Sequence, residues 1–249
     1  MLKNLVSILV LLIPGFVCKA QNGDKIMVSA KYQVVYFKNK AIVVNDICQL
    51  DIGQNGSYFY SLGKLAHLKF MIEKRKQAEQ SGALPNFEES DFRHDLFEFN
   101  TIKDYKSRLI TVVERVGTQQ LGAVKDTLNT ISWKITNDKK IINNLQCRKA
   151  EAKKAGVLIV VWFCSDISLQ EGPLYYYGLP GLIVDATNSL GWHASLTSIE
   201  YNKDIANVIK IRSYVTVTQT QLSKAKKNAN AAIEDGASPN GDYAEKVKN

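Results

Sequence analysis

Histidine is scarce in this sequence. The chain of 249 residues contains three, His67, His94 and His193, and they lie far apart. No CxxC pair accompanies them, so a metal site would need carboxylate ligands, and no ligand spacing indicates one. Phosphate loops, dinucleotide fingerprints, zinc-protease helices and nucleophile elbows are absent as well. The sequence therefore predicts neither a metal site nor a cofactor, and it excludes the enzyme classes that those motifs identify.

Long apolar runs are missing beyond the N-terminus. The run from Leu5 to Val17 follows Lys3 and precedes Cys18-Lys19-Ala20, and it is shorter than the roughly 20 residues of a transmembrane helix. This order of charged, apolar and small residues is typical of a secretory signal peptide. We therefore expect residues 1–20 to be cleaved. The mature chain, without a transmembrane segment, is expected to be periplasmic or associated with the outer membrane, and lipidation at Cys18 is left open.

Acidic residues are outnumbered by basic ones. The chain has 32 Lys and Arg against 24 Asp and Glu, and its formal charge of +8 falls to +6 once Lys3 and Lys19 are removed. The basic residues form no Arg-rich patch interleaved with aromatic residues, so no nucleic-acid partner is expected. The mild excess is compatible with a solvated surface, an acidic partner or an anionic envelope surface.

Cysteine is also rare. Three of the four cysteines, Cys48, Cys147 and Cys164, lie beyond residues 1–20. An oxidising compartment permits one disulfide among them and leaves one thiol. Cys147 and Cys164 occupy successive strand-like runs joined by a short basic turn, which makes them the candidate pair. Their pairing requires a matched register of the two strands.

Short runs of β-branched and aromatic residues, separated by turn residues, dominate the rest of the chain. They predict strands at residues 26–37, 42–50, 58–60, 95–100, 108–115, 133–136, 141–150, 157–164, 182–186, 192–201 and 208–217. Turns are expected between them, including one at Asn137-Asp138-Lys139-Lys140. A change to helical period predicts an inserted helix that begins at Lys64 and ends at Ser81-Gly82.

The expected fold class is β-rich α+β. A large antiparallel sheet curls on itself, as an open sheet or partial barrel, with the inserted helix and a C-terminal helix added. Residues 21–220 are expected to form one β domain. Residues 221–249 are expected to form the C-terminal helix and then a disordered tail.

Two of the five prolines lie in one otherwise apolar segment. Gly172-Pro173 and three tyrosines, Tyr175, Tyr176 and Tyr177, precede Gly178-Leu179-Pro180-Gly181-Leu182-Ile183. A chain of this composition turns sharply while staying inside the protein. One interpretation is a packing device at a buried turn. The other is the floor of a ligand groove with aromatic walls at Trp162, Tyr175, Tyr176, Tyr177 and Trp192.

The residues that most resemble a catalytic set lie on both sides of this segment. Asp166, Glu171 and Asp185 could supply a general acid and base for hydrolysis, and Cys147 with His193 could form a thiol nucleophile pair. Turns and strand ends favour such residues without any chemistry. The sequence therefore identifies no catalytic residue, and a carboxylate-dependent hydrolase stays the second alternative.

A family resemblance rests on several motifs in order. These are the strand Trp133-Lys134-Ile135, the run Cys147-Arg148-Lys149-Ala150, the strand Val161-Trp162-Phe163, the pair Gly172-Pro173 and the hexapeptide Gly178 to Ile183. The chain thereby resembles the GLPGLI family, secreted proteins of Bacteroidota named for that hexapeptide. The resemblance implies an envelope location and a mostly β domain, and it implies no settled activity.

Three function classes follow from these observations. The leading one is a non-enzymatic envelope protein whose β domain binds a partner or ligand, either an envelope protein or a hydrophobic molecule. The alternative is a periplasmic carrier of a lipid or other hydrophobic ligand, which needs a continuous apolar cavity. The hydrolase needs two carboxyl groups that converge in a cleft.

Overall fold

The computed structural model describes residues 24–117, 119–201, 209, 211 and 213–234. The expected signal peptide and the C-terminal tail lie outside these residues. Within them the elements are β1 Val28–Lys38, β2 Ala41–Ile52, β3 Gly56–Ser61, α1 Leu62–Ser81, β4 Phe99–Asp104, β5 Leu109–Val116, β6 Gln119–Thr127, β7 Lys134–Ile142, β8 Leu145–Lys154, β9 Val157–Cys164, β10 Leu182–Asn188, β11 Trp192–Tyr201, β12 Val215–Val217 and α2 Gln219–Glu234.

All the described strands join one sheet. Its order is β12-β6-β5-β4-β3-β2-β1-β11-β10-β9-β8-β7. Neighbouring strands are antiparallel, except for β12, which pairs with β6 in parallel. Among the described residues, the edge strands β7 and β12 do not pair with each other, so the sheet stays open. The predicted fold class, an open β-rich sheet with an inserted and a C-terminal helix, is confirmed.

One face of the sheet, called the inner face here, carries the main core. In β1 the alternating residues Ala30, Tyr32 and Val34 are fully buried, because a strand places every second side chain on the same face. They pack in one cluster with residues of β2, β8, β9, β10 and β11. Residues of the connection between β9 and β10 belong to the same cluster, so this connection fills the inner side of the sheet.

Helix α1 has clear start and stop signals. The Ser61 hydroxyl accepts a hydrogen bond from the backbone N–H of Lys64 (2.7 Å), and Gly82 ends the helix in the left-handed conformation. The predicted helix is confirmed. Within the described residues, no helix combines the length and the apolar character that crossing a bilayer requires.

Four details of the strand prediction were wrong. The expected turn at residues 137–140 is the middle of β7, where the register shifts, and the chain turns instead at Asn143-Asn144, both with positive φ. Asparagine tolerates this conformation better than other side chains. The strand expected at 95–100 begins at Phe99. Finally, β6 was missed, and of the run expected at 208–217 the described residues contain only β12 as strand.

Candidate functional site

The connection between β9 and β10, residues 165–181, holds the Gly/Pro segment against the inner face. Its apolar side chains Ile167, Leu174, Tyr176 and Leu179 are buried in the main core. Its backbone is tied to itself and to β10, since Leu182 N–H donates to the Ile167 carbonyl (3.1 Å) and Ile183 N–H donates to the Glu171 carbonyl (2.8 Å). The segment is therefore a packed part of the interior.

Gly181 allows the hexapeptide to lie close to the end of β9. Its φ is +151°, a value that residues other than glycine rarely adopt. A Cβ at this position would lie 2.1 Å from the carbonyl oxygen of Cys164. Pro180 beside it is exposed. The geometry agrees with a packing role for Gly181, because the space that a side chain would need is occupied by backbone.

A buried ion pair anchors the same segment to the sheet. Lys103 of β4 and Glu171 are 1% and 2% exposed, and their Nζ and Oε2 atoms are 2.7 Å apart. Glu171 Oε1 accepts hydrogen bonds from Ser57 Oγ (2.9 Å) and from the Tyr105 hydroxyl (2.6 Å). Lys103 also donates to the Gly172 carbonyl (2.8 Å). These four side chains, Ser57, Lys103, Tyr105 and Glu171, are called the Glu171 cluster below.

Burial governs the electrostatics of the cluster. It lowers the pKa of Lys103, while the Glu171 carboxylate opposes this by favouring the charged ammonium. Burial, with the nearby Glu171 charge second, raises the pKa of Tyr105 and of Tyr32. Both phenols therefore stay protonated and act as donors, Tyr32 to the Ile183 carbonyl at 2.8 Å. The arrangement satisfies a buried carboxylate and fixes the segment in place.

Sequence reasoning missed Lys103, Ser57 and Tyr105. Ser57 lies directly opposite Lys103 in the pairing of β3 with β4, so both side chains point to the same face. The sequence of β4, FNTIKD, has no alternation of apolar and polar residues that marks Lys103 as buried, and the strand predicted at residues 95–100 ends before this lysine. Glu171, by contrast, was among the candidates as a possible acid or base, and the structure places it in an ion pair.

The five proposed ligand-contacting aromatic residues do not form one wall. Tyr175 and Tyr176 are in contact, with ring centroids 5.2 Å apart, and Tyr177 lies near Tyr105 at 6.0 Å. Tyr176 is buried in the core. Trp192 stacks on Tyr36 in β1 at 4.5 Å, and Trp162 of β9 lies under the Lys140 ammonium at 5.8 Å. Tyr175 and Tyr176 are thus in contact with each other, whereas Tyr177 and the two tryptophans each have separate surroundings.

Cys147 and Cys164 lie directly opposite each other in the pairing of β8 with β9. The register that a disulfide requires is present, and both are free, buried thiols in the structure. Burial and the neighbouring Cys164 raise the pKa of Cys147 to about 11. A thiol with this pKa is protonated at neutral pH and is a poor nucleophile. The disulfide between them stays a prediction.

His193 is paired with a carboxylate and not with the Cys147 thiol. Its Nε2 lies 2.8 Å from Oδ2 of Asp185 on the neighbouring strand. This hydrogen bond raises the pKa of His193 above its usual value of about 6.5. Within the described residues there is no group of three or more His, Cys, Asp or Glu side chains placed to hold a metal ion.

The pair predicts a measurable pH dependence. Because the folded-state pKa of His193 is raised, its protonation stabilises the fold at pH values below the unfolded-state pKa, and this contribution is lost as the pH rises through the folded-state pKa. Asp185→Asn should shift the titration midpoint of His193 downward, as followed by NMR of its ring protons. Identical His193 curves would contradict the pairing.

Comparison with known proteins gives a match to one family model and two structures with a similar fold. Residues 98–185 match the Porph_ging family model. The description of that family is "protein of unknown function", and the matched residues include Lys103, Glu171 and the hexapeptide. The match does not confirm the GLPGLI name. A search of the curated proteins gives no significant match.

Two solved structures share the fold. They are described as PNGF-II in the P21 and in the C2 space group, and each superposes on 80% of this chain with a TM-score of 0.53 and 12% sequence identity. This chain corresponds to 33% and 32% of the length of those two chains. At this level of identity the similarity shows the fold alone.

Proposed function

We propose that the chain is an exported protein of the cell envelope whose β domain binds a partner or ligand at its surface and catalyses no reaction. The observation that supports this most strongly is the filled inner side of the sheet. Segment 165–181 packs there against the strands, and the Glu171 cluster holds it in place. A ligand of the folded protein therefore binds at an exposed surface.

The chemistry of the candidate catalytic residues supports the non-enzymatic interpretation. The Glu171 carboxylate is satisfied by Lys103 and two hydroxyl donors. The Asp185 carboxylate is hydrogen-bonded to His193, and the raised pKa of Cys147 keeps its thiol protonated. Each group is thus engaged in an interaction of its own, whereas a hydrolase needs an acid and a base that converge on one bond.

A carrier with its cavity on the inner face would have to move segment 165–181 away from the strands. That movement would expose Ile167, Leu174, Tyr176 and Leu179 and leave the Lys103 ammonium without its carboxylate. Losing one partner of a buried ion pair costs about 3–5 kcal/mol. The closed state is therefore strongly favoured, which supports binding at the surface over transport of a ligand inside.

Site-specific photo-crosslinking in the native cell envelope tests this proposal. A photoreactive phenylalanine analogue would replace one exposed apolar residue at a time: Leu190 at a hairpin tip, Ile72 on α1 or Ile141 on the edge strand β7. We expect a discrete adduct at one position and not at the others. Mass spectrometry of the purified protein should find no lipid at one copy per chain. A stoichiometric lipid that is retained through purification, or turnover of a co-purified compound, would overturn the proposal.

A further inference from the structure

Three connections of the sheet meet at one end of it. The β1–β2 hairpin lies beside the β10–β11 turn, because Phe37 N–H donates to the Gly191 carbonyl (2.9 Å). The β10–β11 turn lies beside β9, because Ser189 N–H donates to the Leu158 carbonyl (2.9 Å). Residues 37–43, 153–158 and 187–191 therefore form one continuous region, called the hairpin-tip surface below.

The hairpin-tip surface presents apolar side chains to solvent. Ile42 is 60% exposed and Leu190 is 55% exposed, and large parts of Phe37, Val43 and Leu158 are exposed as well. Single exposed apolar residues are ordinary, but five on adjacent turns form a patch of the kind that marks an interaction site. The patch consists of turns and strand ends, which project from the sheet.

Lysine supplies the charged residues of this surface. Lys38, Lys40 and Lys153 are exposed, whereas Lys154 is paired with the Asp126 carboxylate of β6. Residues 37–43, 153–158 and 187–191 contain no aspartate or glutamate. Lysine side chains around projecting apolar residues are complementary to a surface that has an anionic outer layer and an apolar layer below it.

We propose that the hairpin-tip surface binds a membrane surface that contains anionic lipid headgroups. The proposal rests on the proposed function and names the partner of that surface. Ile42 and Leu190 insert at the boundary between headgroups and acyl chains, while Lys38 and Lys40 contact the phosphates. Insertion of the apolar side chains and attraction of the lysines to phosphates are each too weak for stable attachment, so the surface uses both together.

Vesicle co-sedimentation tests the charge dependence. The protein recovered after export would be mixed with vesicles of phosphatidylcholine, with or without about a third phosphatidylglycerol. Lys38→Gln with Lys40→Gln should weaken binding to the anionic vesicles roughly twenty-fivefold, since one lysine near such a surface contributes roughly fivefold. The matched control is Lys139→Gln with Arg148→Gln, which removes the same charge from two exposed, directly paired positions of β7 and β8 outside the hairpin-tip surface. The control should bind nearly as well as the wild type.

A depth measurement tests the orientation. The wild type contains Trp133, Trp162 and Trp192, so its fluorescence with vesicles is the baseline. Relative to that baseline, the emission added in Leu190→Trp should shift to the blue and be quenched by lipids brominated near the headgroup. The emission added in Ile141→Trp, on the edge strand β7, should show neither effect. Both positions are exposed, so neither change is expected to disturb the fold, which circular dichroism would check.

The proposal is supported if vesicle binding requires the anionic lipid and if the tryptophan introduced at residue 190, but not the one at residue 141, is quenched. Absence of vesicle binding at about millimolar lipid overturns the proposal. Equal losses of vesicle binding in the Lys38/Lys40 double variant and in the control double variant overturn it as well. A protein adduct at Leu190 in the crosslinking experiment without vesicle binding also overturns it, while leaving surface binding itself intact. A lipid retained inside the purified protein would instead contradict the proposed function, so the two failures are distinguishable.

Discussion

Replacing Glu171 with glutamine should lower the free energy of unfolding by about 3–5 kcal/mol, the usual cost of removing one partner from a buried ion pair. The glutamine side chain keeps the shape but offers an amide in place of a carboxylate. The Lys103 ammonium, 1% exposed, then has no counter-charge. Since a domain is stable by only about 5–15 kcal/mol in total, this is a large fraction. Urea unfolding of the purified protein provides the value.

The double variant Lys103→Met with Glu171→Met separates the ion pair from the packing. It removes both charges, so the penalty for an isolated buried charge disappears, although Ser57 and Tyr105 lose their acceptor. The double variant should therefore lose less free energy of unfolding than Lys103→Met and Glu171→Met lose in sum, by about 1–3 kcal/mol. Glu89→Gln is the matched control, because that side chain is 91% exposed and its change should stay within about 0.5 kcal/mol. Additive losses would show that Lys103 and Glu171 act independently.

The fold class was predictable because it depends on local patterns of apolar spacing and of turn and cap residues that are present in the sequence. The alternation in β1 marks one buried face, and the β9 run Val157–Cys164 is apolar almost throughout. The start and stop signals of α1 are equally local. Such features depend on the spacing of apolar residues and on turn chemistry, which are present in the sequence before any tertiary contact forms.

Strand β6 was not predictable for a tertiary reason. Its centre contains Gly122, a residue that weakens a strand. In the structure the ring of Tyr214 lies where a side chain at residue 122 would be, with the nearest ring carbon 2.2 Å from an ideal Cβ. Parallel pairing with β12 then adds hydrogen bonds. The strand is thus stabilised by residues about 90 positions later in the chain, which no local pattern reveals.

The Glu171 cluster could be predicted only in part. A carboxylate beside a Gly-Pro pair was visible in the sequence, but its partner Lys103 lies 68 residues earlier. Recognising the pair requires the register of β3 against β4 and the path of segment 165–181 across the inner face. Both are properties of the assembled sheet. A lysine is moreover so seldom buried that exposure is the natural expectation for it.

Replacing Gly181 with alanine should destabilise the protein by about 3 kcal/mol or more. A residue with a side chain at this backbone conformation costs about 1–3 kcal/mol. In addition, the new methyl group would lie 2.1 Å from the Cys164 carbonyl oxygen and 2.9 Å from the Ser165 Cα. Both are backbone atoms, so relief requires the hexapeptide to move away from β9. That movement would disturb the hydrogen bond from Leu182 N–H to the Ile167 carbonyl.

Gly156→Ala is the matched control for the contact. Gly156, in the β8–β9 turn, also has a positive φ, +82°, but nothing lies within 4 Å of an added Cβ. Its replacement should cost only the backbone term, about 1–2 kcal/mol. The difference between the two losses, measured by urea unfolding, therefore reports the close approach of the hexapeptide to β9. Equal losses would show that the hexapeptide can shift freely. A larger loss at Gly181 identifies the Gly-Leu-Pro-Gly turn as a packing device whose glycine is required by neighbouring backbone.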